Sequence, residues 1–377
     1  MAIIVLGFAV SLLLTLIVVR VAKRRELGHD SDLSGPQKFH SAPVPRLGGV
    51  GIVLGLLASA GLLLFRLPSE GLLGLALLAC AVPAFGAGLA EDLTRRVSPR
   101  RRLVATALSA ALASLLLDAT IRHTSIPGLD ALVSVTAGAL ALTMLAVAGV
   151  ANSVNIIDGF NGLASMCVVL MLAALAYVGF QVGDAVVGTL ALAGIGAVLG
   201  FFVWNYPAGL IFLGDGGAYF LGFYVAELSI LLIERSPGDV SPLFPLVVCI
   251  YPVFETLFSV YRRRFLRAMP PHMPDGIHLH SLIYRRVLRW AVGSRSARSL
   301  TRRNSMTAPY LWMLCMSSVL PAVLFYDDTA VLAGLLLLFG LTYTGLYWRI
   351  VRFRSPRWLR ARWLSLPSRF EADNEGT

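Results

Sequence analysis

Along this chain long apolar stretches alternate with short polar segments, and the stretches have the length that matters at a bilayer. A helix needs about 20 mainly apolar residues to cross roughly 30 Å of hydrocarbon. Eleven stretches approach or reach that length: Ile3 to Arg20, Leu47 to Phe65, Gly71 to Ala90, Leu103 to Leu117, Ala131 to Ala151, Leu163 to Phe180, Ala185 to Val203, Gly216 to Ile233, Pro242 to Val260, Pro309 to Phe325 and Thr329 to Tyr347. They are continuously apolar instead of alternating every second residue, which predicts helices and not a barrel. The fourth is the shortest and polar residues interrupt the eighth, so ten or twelve spans also fit. The predicted fold class is all-α, a polytopic integral membrane protein of about 11 transmembrane helices.

Charge orients the bundle. No basic residue precedes the first stretch, no small-residue cleavage pattern follows it, and Arg20, Lys23, Arg24 and Arg25 come at once. It reads as an uncleaved anchor with the N-terminus outside. If eleven spans alternate from there, the inner segments are 21 to 46 (with Arg20), 91 to 102, 152 to 162, 204 to 215, 261 to 308 and the tail from 348. Those segments hold 29 of the 32 Lys and Arg residues, leaving Arg66, Arg122 and Arg235 outside. The asymmetry is what the positive-inside rule expects, so the C-terminus is placed in the cytoplasm.

Composition agrees. The chain is 57% hydrophobic and 14% charged, with a mean hydropathy of +0.75, against roughly 25% charged residues in a soluble domain. A water-soluble globule and a disordered chain are both excluded. The formal charge of +11 is mostly the topology signal and does not point to nucleic acid; it adds attraction for anionic headgroups and anionic substrates at the inner face. Arg352, Arg354, Arg357, Trp358, Arg360, Arg362 and Trp363 make the tail a solvated positive-inside flank, with an interfacial segment as the other reading. Cys80, Cys167, Cys249 and Cys315 each fall inside an apolar stretch, so they are expected to pack as small apolar residues.

Polar residues beside membrane spans are expensive unless they bind something. Four inner segments carry them. Glu91-Asp92, at the inner end of the third stretch and followed by five arginines, has the chemistry to hold a hard divalent cation or to supply a base; a helix-end charge pair is the plainer alternative. Asn152, Asn155 and Asp158 recur every third residue before Gly159-Phe160-Asn161-Gly162, a regularity that turn chemistry does not explain. Trp204-Asn205-Tyr206-Pro207 and Phe212-Leu213-Gly214-Asp215-Gly216-Gly217 surround one acid with glycines, which would let backbone N–H groups approach an oxyanion; a tight turn is an equal reading. Asp275-Gly276-Ile277-His278-Leu279-His280 places two histidines at i and i+2, unlike the helical i, i+4 pair of a zinc protease and better suited to phosphate binding or proton transfer. The topology delivers all four to one side of the membrane beside arginine-rich loops. Acids for a metal and cations for phosphate then meet at a bilayer surface, the setting for phosphoryl transfer between a cytosolic nucleotide-type anion and a lipid-held acceptor.

The motifs resemble those of the polyprenyl-phosphate N-acetylhexosamine-1-phosphate transferases, the family that includes the phospho-MurNAc-pentapeptide translocase. The likeness runs from about Lys38 to Arg286, through Lys38 with Pro45-Arg46-Leu47-Gly48-Gly49, Glu91-Asp92, Asn155 to Leu163, Phe212 to Asp215 and His278-Leu279-His280. The first and last of these look more like the polysaccharide-initiating branch. The resemblance implies transfer of a sugar 1-phosphate, here an N-acetylhexosamine 1-phosphate, from a UDP-sugar to undecaprenyl phosphate with release of UMP. It also implies a Mg²⁺ cofactor, or Mn²⁺ in its place, membrane lipid around the chain, and a homodimer. The active site would face the cytoplasm of a bacterial inner membrane, at the first membrane step of O-antigen-like polysaccharide synthesis. Residues 1 to 350 would form one catalytic membrane domain and 351 to 377 a basic cytoplasmic tail.

By position, Asp215 and Asp92 would be the metal ligands. Glu91, Asp92, Asp158, Asp215, His278 and His280 would form the catalytic set, and Lys38, Asn155, Asn161, Asn205, Phe212 and Gly214 would line the nucleotide-sugar site. Two residues depart from the family pattern: Glu91 stands where Asp is usual, and Asn161 replaces the second Asp of a DGxDGL pattern, which weakens the inference of uracil. Glu255 matches a membrane glutamate of the family and is expected to be a hydrogen-bonded structural acid. Two other classes compete: a transporter of an anionic substrate, prompted by Glu227 and Glu255, and a CDP-alcohol phosphatidyltransferase, whose acids sit together in one short run.

Overall fold

The computed structural model describes residues 1–25, 29–30, 44–266, 277–288 and 297–352. Lys38, Asp275, Gly276 and the basic tail from 353 onward therefore lie outside the described residues. Among the described residues fifteen α-helices follow one another: α1 (Ala2–Arg25), α2 (Gly48–Arg66), α3 (Pro68–Cys80), α4 (Val82–Thr94), α5 (Pro99–Leu117), α6 (Pro127–Val133), α7 (Thr136–Ile157), α8 (Leu163–Gln181), α9 (Ala185–Asn205), α10 (Gly214–Arg235), α11 (Phe244–Val248), α12 (Ile250–Tyr261), α13 (Leu279–Leu282), α14 (Ala297–Leu324) and α15 (Thr329–Val351). A two-residue antiparallel ladder pairs His29–Asp30 with Val44–Pro45.

Helix covers most of each of the eleven apolar stretches, although the fifth is broken at Ser134–Val135 between α6 and α7. Among the described residues eight helices are long and apolar enough to cross a membrane, and α3 with α4, bent by 46°, makes a ninth if the pair is one span. The bend has a local cause. Pro83 enters the first turn of α4, and the displaced Ala84 N–H is taken by the Ser109 hydroxyl of α5 at 3.0 Å. The two stretches that fall short have physical reasons: α5 opens with Arg100, Arg101 and Arg102, and the ninth stretch is divided at Cys249 into α11 and α12.

At the centre stands α10, in which every residue from Gly214 to Ile233 is buried. That explains an apolar character all round the helix, which a one-sided surface helix does not need. Helices α2, α4, α7 and α8 pack on it, while α1 packs on α2 and α9 at the periphery. The outer helices keep rows of exposed leucines, such as Leu337, Leu338 and Leu341 on α15. In water these would be a liability; against lipid they match the solvent.

Candidate active site

The site is built at one end of α10, where the C-terminal ends of α4 and α7 meet its N-terminus. Close approach is possible because glycines face each other: a Cβ on Gly88 of α4 would stand 2.6 Å from the Gly216 backbone. Asp92, one turn further along α4, then reaches the first turn of α10. Its two carboxylate oxygens accept the N–H groups of Asp215 (2.9 Å) and Gly216 (2.8 Å). A carboxylate capping a helix N-terminus satisfies orphan donors and complements the helix dipole. The expectation that these glycine-flanked amides would be open to an oxyanion is corrected here, because Asp92 occupies them.

Asp215 itself gathers cations and amides. Its Oδ1 accepts from Asn155 Nδ2 at 2.7 Å and from Arg46 Nη2 at 3.3 Å, and its Oδ2 accepts from Arg102. Arg46 also faces Asp92, with Nε 3.6 Å from Oδ1. Arg46 is fixed by its flanking backbone: Phe212 N–H donates to Pro45 O at 2.9 Å and Gly48 N–H to Phe212 O at 3.0 Å. Gly214, with φ of 76°, completes the corner. A Cβ there would lie 2.0 Å from the Arg46 carbonyl oxygen and 2.6 Å from Asp92 Oδ2, so the position admits no side chain.

The three-residue spacing on α7 is explained by its antiparallel partner. Asn152 Oδ1 accepts from the Tyr219 hydroxyl at 3.1 Å, Asn155 donates to Asp215, and Asp158, the C-cap, faces the Gly214 N–H. Successive turns of α7 thus read successive turns of α10 back toward its start. Burial, opposed by the Arg46 guanidinium and reinforced by the carboxylates of Asp215 and Asp92, pushes the Asp158 carboxyl up to about 7. Arg102, entering from α5, lies with its guanidinium carbon 5.5 Å from the Tyr219 ring centroid.

The histidines arrive from the far side. His278 and His280 are buried and stacked, with centroids 5.0 Å apart and an interplanar angle of 14°. His280 packs edge-on against Phe160 at 5.4 Å, and its Nε2 would lie 3.6 Å from a Cβ on Gly159, the residue after Asp158. Asp92, Asp158, Asp215, Asn155, Gly214, His278 and His280 therefore belong to one region, which also contains Arg46, Arg102 and Tyr219.

Other predicted residues stand apart. Glu91 points away, its Oε2 accepting the Val97 N–H at 2.7 Å in the α4–α5 turn. Asn161 is buried in a clamp: its backbone N–H donates to Asn304 Oδ1 at 2.9 Å, and its Nδ2 donates to Pro207 O at 3.2 Å and Ser305 Oγ at 3.1 Å. Asn205 is buried likewise, accepting from Gly162 N–H at 2.6 Å and donating to Ile211 O at 2.8 Å. Both tie the α7–α8 and α9–α10 turns together. Phe212 contributes through its backbone and keeps a half-buried ring. Glu255 is fully hydrogen-bonded, as a structural acid should be. Arg102 and Tyr219 were not singled out in the sequence, although Tyr219 follows Asp215 by one helical turn and must share its face.

Among the described residues no three or more Asp, Glu, His and Cys side chains form a ready-made metal cage. The donor set nevertheless fits Mg²⁺, which binds through one or two carboxylates plus substrate phosphates and retained water. Asp92, Asp158 and Asp215 set three carboxylates against the two guanidinium groups of Arg46 and Arg102, an anionic excess when all are ionised.

Fold and site together define a polytopic membrane protein with a buried acid–arginine–histidine cluster at one end of its helix bundle. The glycosyl transferase family 4 model matches residues 74–233, which hold α4, α7 and α10 with their acids. A Bacillus subtilis protein named "Probable undecaprenyl-phosphate N-acetylglucosaminyl 1-phosphate transferase" is 31% identical over 74% of this chain and 76% of its own length. A Thermotoga maritima undecaprenyl-phosphate alpha-N-acetylglucosaminyl 1-phosphate transferase is 28% identical over 74% and 81%, respectively. A Clostridium botulinum phospho-N-acetylmuramoyl-pentapeptide-transferase is 27% identical over 71% and 85%. The chain belongs to glycosyl transferase family 4.

Proposed function

We propose that this protein transfers a sugar 1-phosphate, an N-acetylhexosamine 1-phosphate, from a UDP-sugar to undecaprenyl phosphate and releases UMP. The observation that carries the reading is the convergence of Asp92, Asp158 and Asp215 with Arg46 and Arg102 beside the histidine pair, at the end of a membrane bundle. The relatives' names supply the acceptor and the sugar-phosphate class. A lipid phosphate oxygen attacks the β-phosphorus of the donor, the bond from that phosphorus to the bridging oxygen breaks, and UMP departs with that oxygen. One phosphoanhydride is exchanged for another, so the barrier must be lowered by positioning and charge neutralisation. No covalent enzyme intermediate is needed.

A divalent cation held by Asp215 and Asp92 would neutralise diphosphate charge. Arg46, half-exposed, is the guanidinium best placed to bind phosphate oxygens, and Arg102 holds Asp215 in position. Asp158, whose carboxyl is pushed up to about 7, is suited to accept a proton from a lipid phosphate monoester. His278 and His280 steady the transferred phosphate or its sugar. The arginine-rich inner segments favour a cytoplasmic site in a bacterial inner membrane, and an O-antigen-like polymer as the destination rests on the likeness to the polysaccharide-initiating branch alone.

Purified protein with undecaprenyl phosphate and a panel of UDP-N-acetylhexosamines is expected to release UMP in the presence of Mg²⁺. Asp215→Asn should abolish that release while the variant still elutes as a folded protein. No release from any donor, or flux of a substrate across proteoliposomes without conversion, would overturn the proposal. Preference for CDP-linked donors would favour the phosphatidyltransferase class.

A further inference from the structure

Glu255 sits in α12 with no exposed surface, yet it is surrounded by donors from two other parts of the chain. Oε1 is 2.9 Å from His278 Nδ1 and accepts the Leu279 N–H at 3.2 Å, while Oε2 accepts the Tyr343 hydroxyl of α15 at 2.6 Å. A carboxylate needed only to cap the short α13 would require one backbone bond. Here the same oxygen fixes both the backbone turn at Leu279 and the ring of the preceding histidine. The Nδ1 edge of His278 is thereby committed, which leaves Nε2 as the nitrogen free to meet a substrate.

The neighbouring parts reinforce the arrangement. Arg262, buried at the end of α12, donates to Ile277 O at 3.0 Å and to the Tyr347 hydroxyl at 2.8 Å, so the chain entering the histidine segment is pinned to α15. His280, stacked on His278, inherits its placement beside Gly159. We propose that Glu255 is a positioning residue of the transferase: held by Tyr343, it orients His278 and, through the stack, His280 against the Asp158 loop. The inference rests on the function proposed above and adds a group that touches no substrate itself.

The test is a double-mutant cycle on UMP release, with kcat and KM measured separately. His278→Gln is expected to lower kcat by about 100-fold. Glu255→Gln, which keeps the shape, should lower kcat by about tenfold or more and change the donor KM by less than about twofold. In the His278→Gln background the same change should cost less than about twofold, because its route to the reaction is already gone. Tyr343→Phe should behave in the same way with a smaller loss, and it carries the cycle if Glu255→Gln does not fold. A Glu255→Gln rate equal to wild type, or a loss that multiplies with that of His278→Gln, would overturn the proposal. An active His278→Gln variant would overturn it while wild-type UMP release keeps the transferase reading. A wild type that releases no UMP would fail both.

Discussion

Asp92→Asn separates an acid that serves chemistry from one that also holds the helix start. The carboxylate accepts two backbone N–H groups of α10, at 2.9 and 2.8 Å. An amide of the same shape keeps one acceptor and turns a donor toward the other N–H. Losing one hydrogen bond to a charged acceptor costs about 1.5–3 kcal/mol, and losing the charge at the helix N-terminus about 0.3–1 kcal/mol. Relief of the carboxylate's burial and of its repulsion with Asp215 offsets part of this, so a net loss of about 2 kcal/mol is expected. With an unfolding entropy of about 2.1 cal/mol/K per residue over 377 residues, that is a fall in Tm of about 2–3 °C. The assay is thermal unfolding of detergent-solubilised protein followed beside UMP release, without and with Mg²⁺. Loss of activity with Tm unchanged to within about 1 °C would refute the cap and leave Asp92 a purely chemical residue.

Glu91→Gln, whose side chain serves the α4–α5 turn, should change turnover by no more than about twofold, the size of a surface effect; a loss like that of Asp92→Asn would place the base at Glu91. Asn161→Asp would remove the Nδ2 donor from Pro207 and Ser305 and should lower stability by about 1–3 kcal/mol, read as Tm; an unchanged Tm would return Asn161 to the substrate. Burial raises the Asp158 carboxyl to about 7, so its protonated form is favoured in the folded protein. In chelator, stability should therefore fall as pH climbs from near 4 through about 7, Asp158→Asn should lessen that slope, and Mg²⁺ should restore Tm most at the alkaline end. A wild-type slope unaffected by Asp158→Asn would contradict this.

Much of the fold was legible because hydrocarbon imposes one length and one period on every span, and helix covers most of each apolar stretch. The bends were less visible: Pro83 and Cys249 divide stretches whose hydropathy is continuous. In the site, the triplet spacing of Asn152, Asn155 and Asp158 was a true sign, since one helix face meets α10. Asn161 and Asn205 carry the same amides but spend them on neighbouring turns, a distinction that residue type does not encode. Nor does sequence tell which arginine of the run at 100–102 turns inward, because that depends on where α5 starts. Its N-cap Ser98 and first-turn Pro99 set that start and aim Arg102 at Asp215. The glycines around Asp215 promised an anion cradle; they serve the contact of α4 with α10 instead.

The most direct test uses UDP-N-acetylglucosamine carrying radiolabel only in the β-phosphate, incubated with the protein, undecaprenyl phosphate and Mg²⁺. Transfer of a sugar 1-phosphate predicts that the label moves to the lipid fraction together with the sugar, leaving unlabelled UMP in the water phase. Label retained on UDP while sugar reaches the lipid, or no movement of either from any UDP-N-acetylhexosamine, would contradict the account.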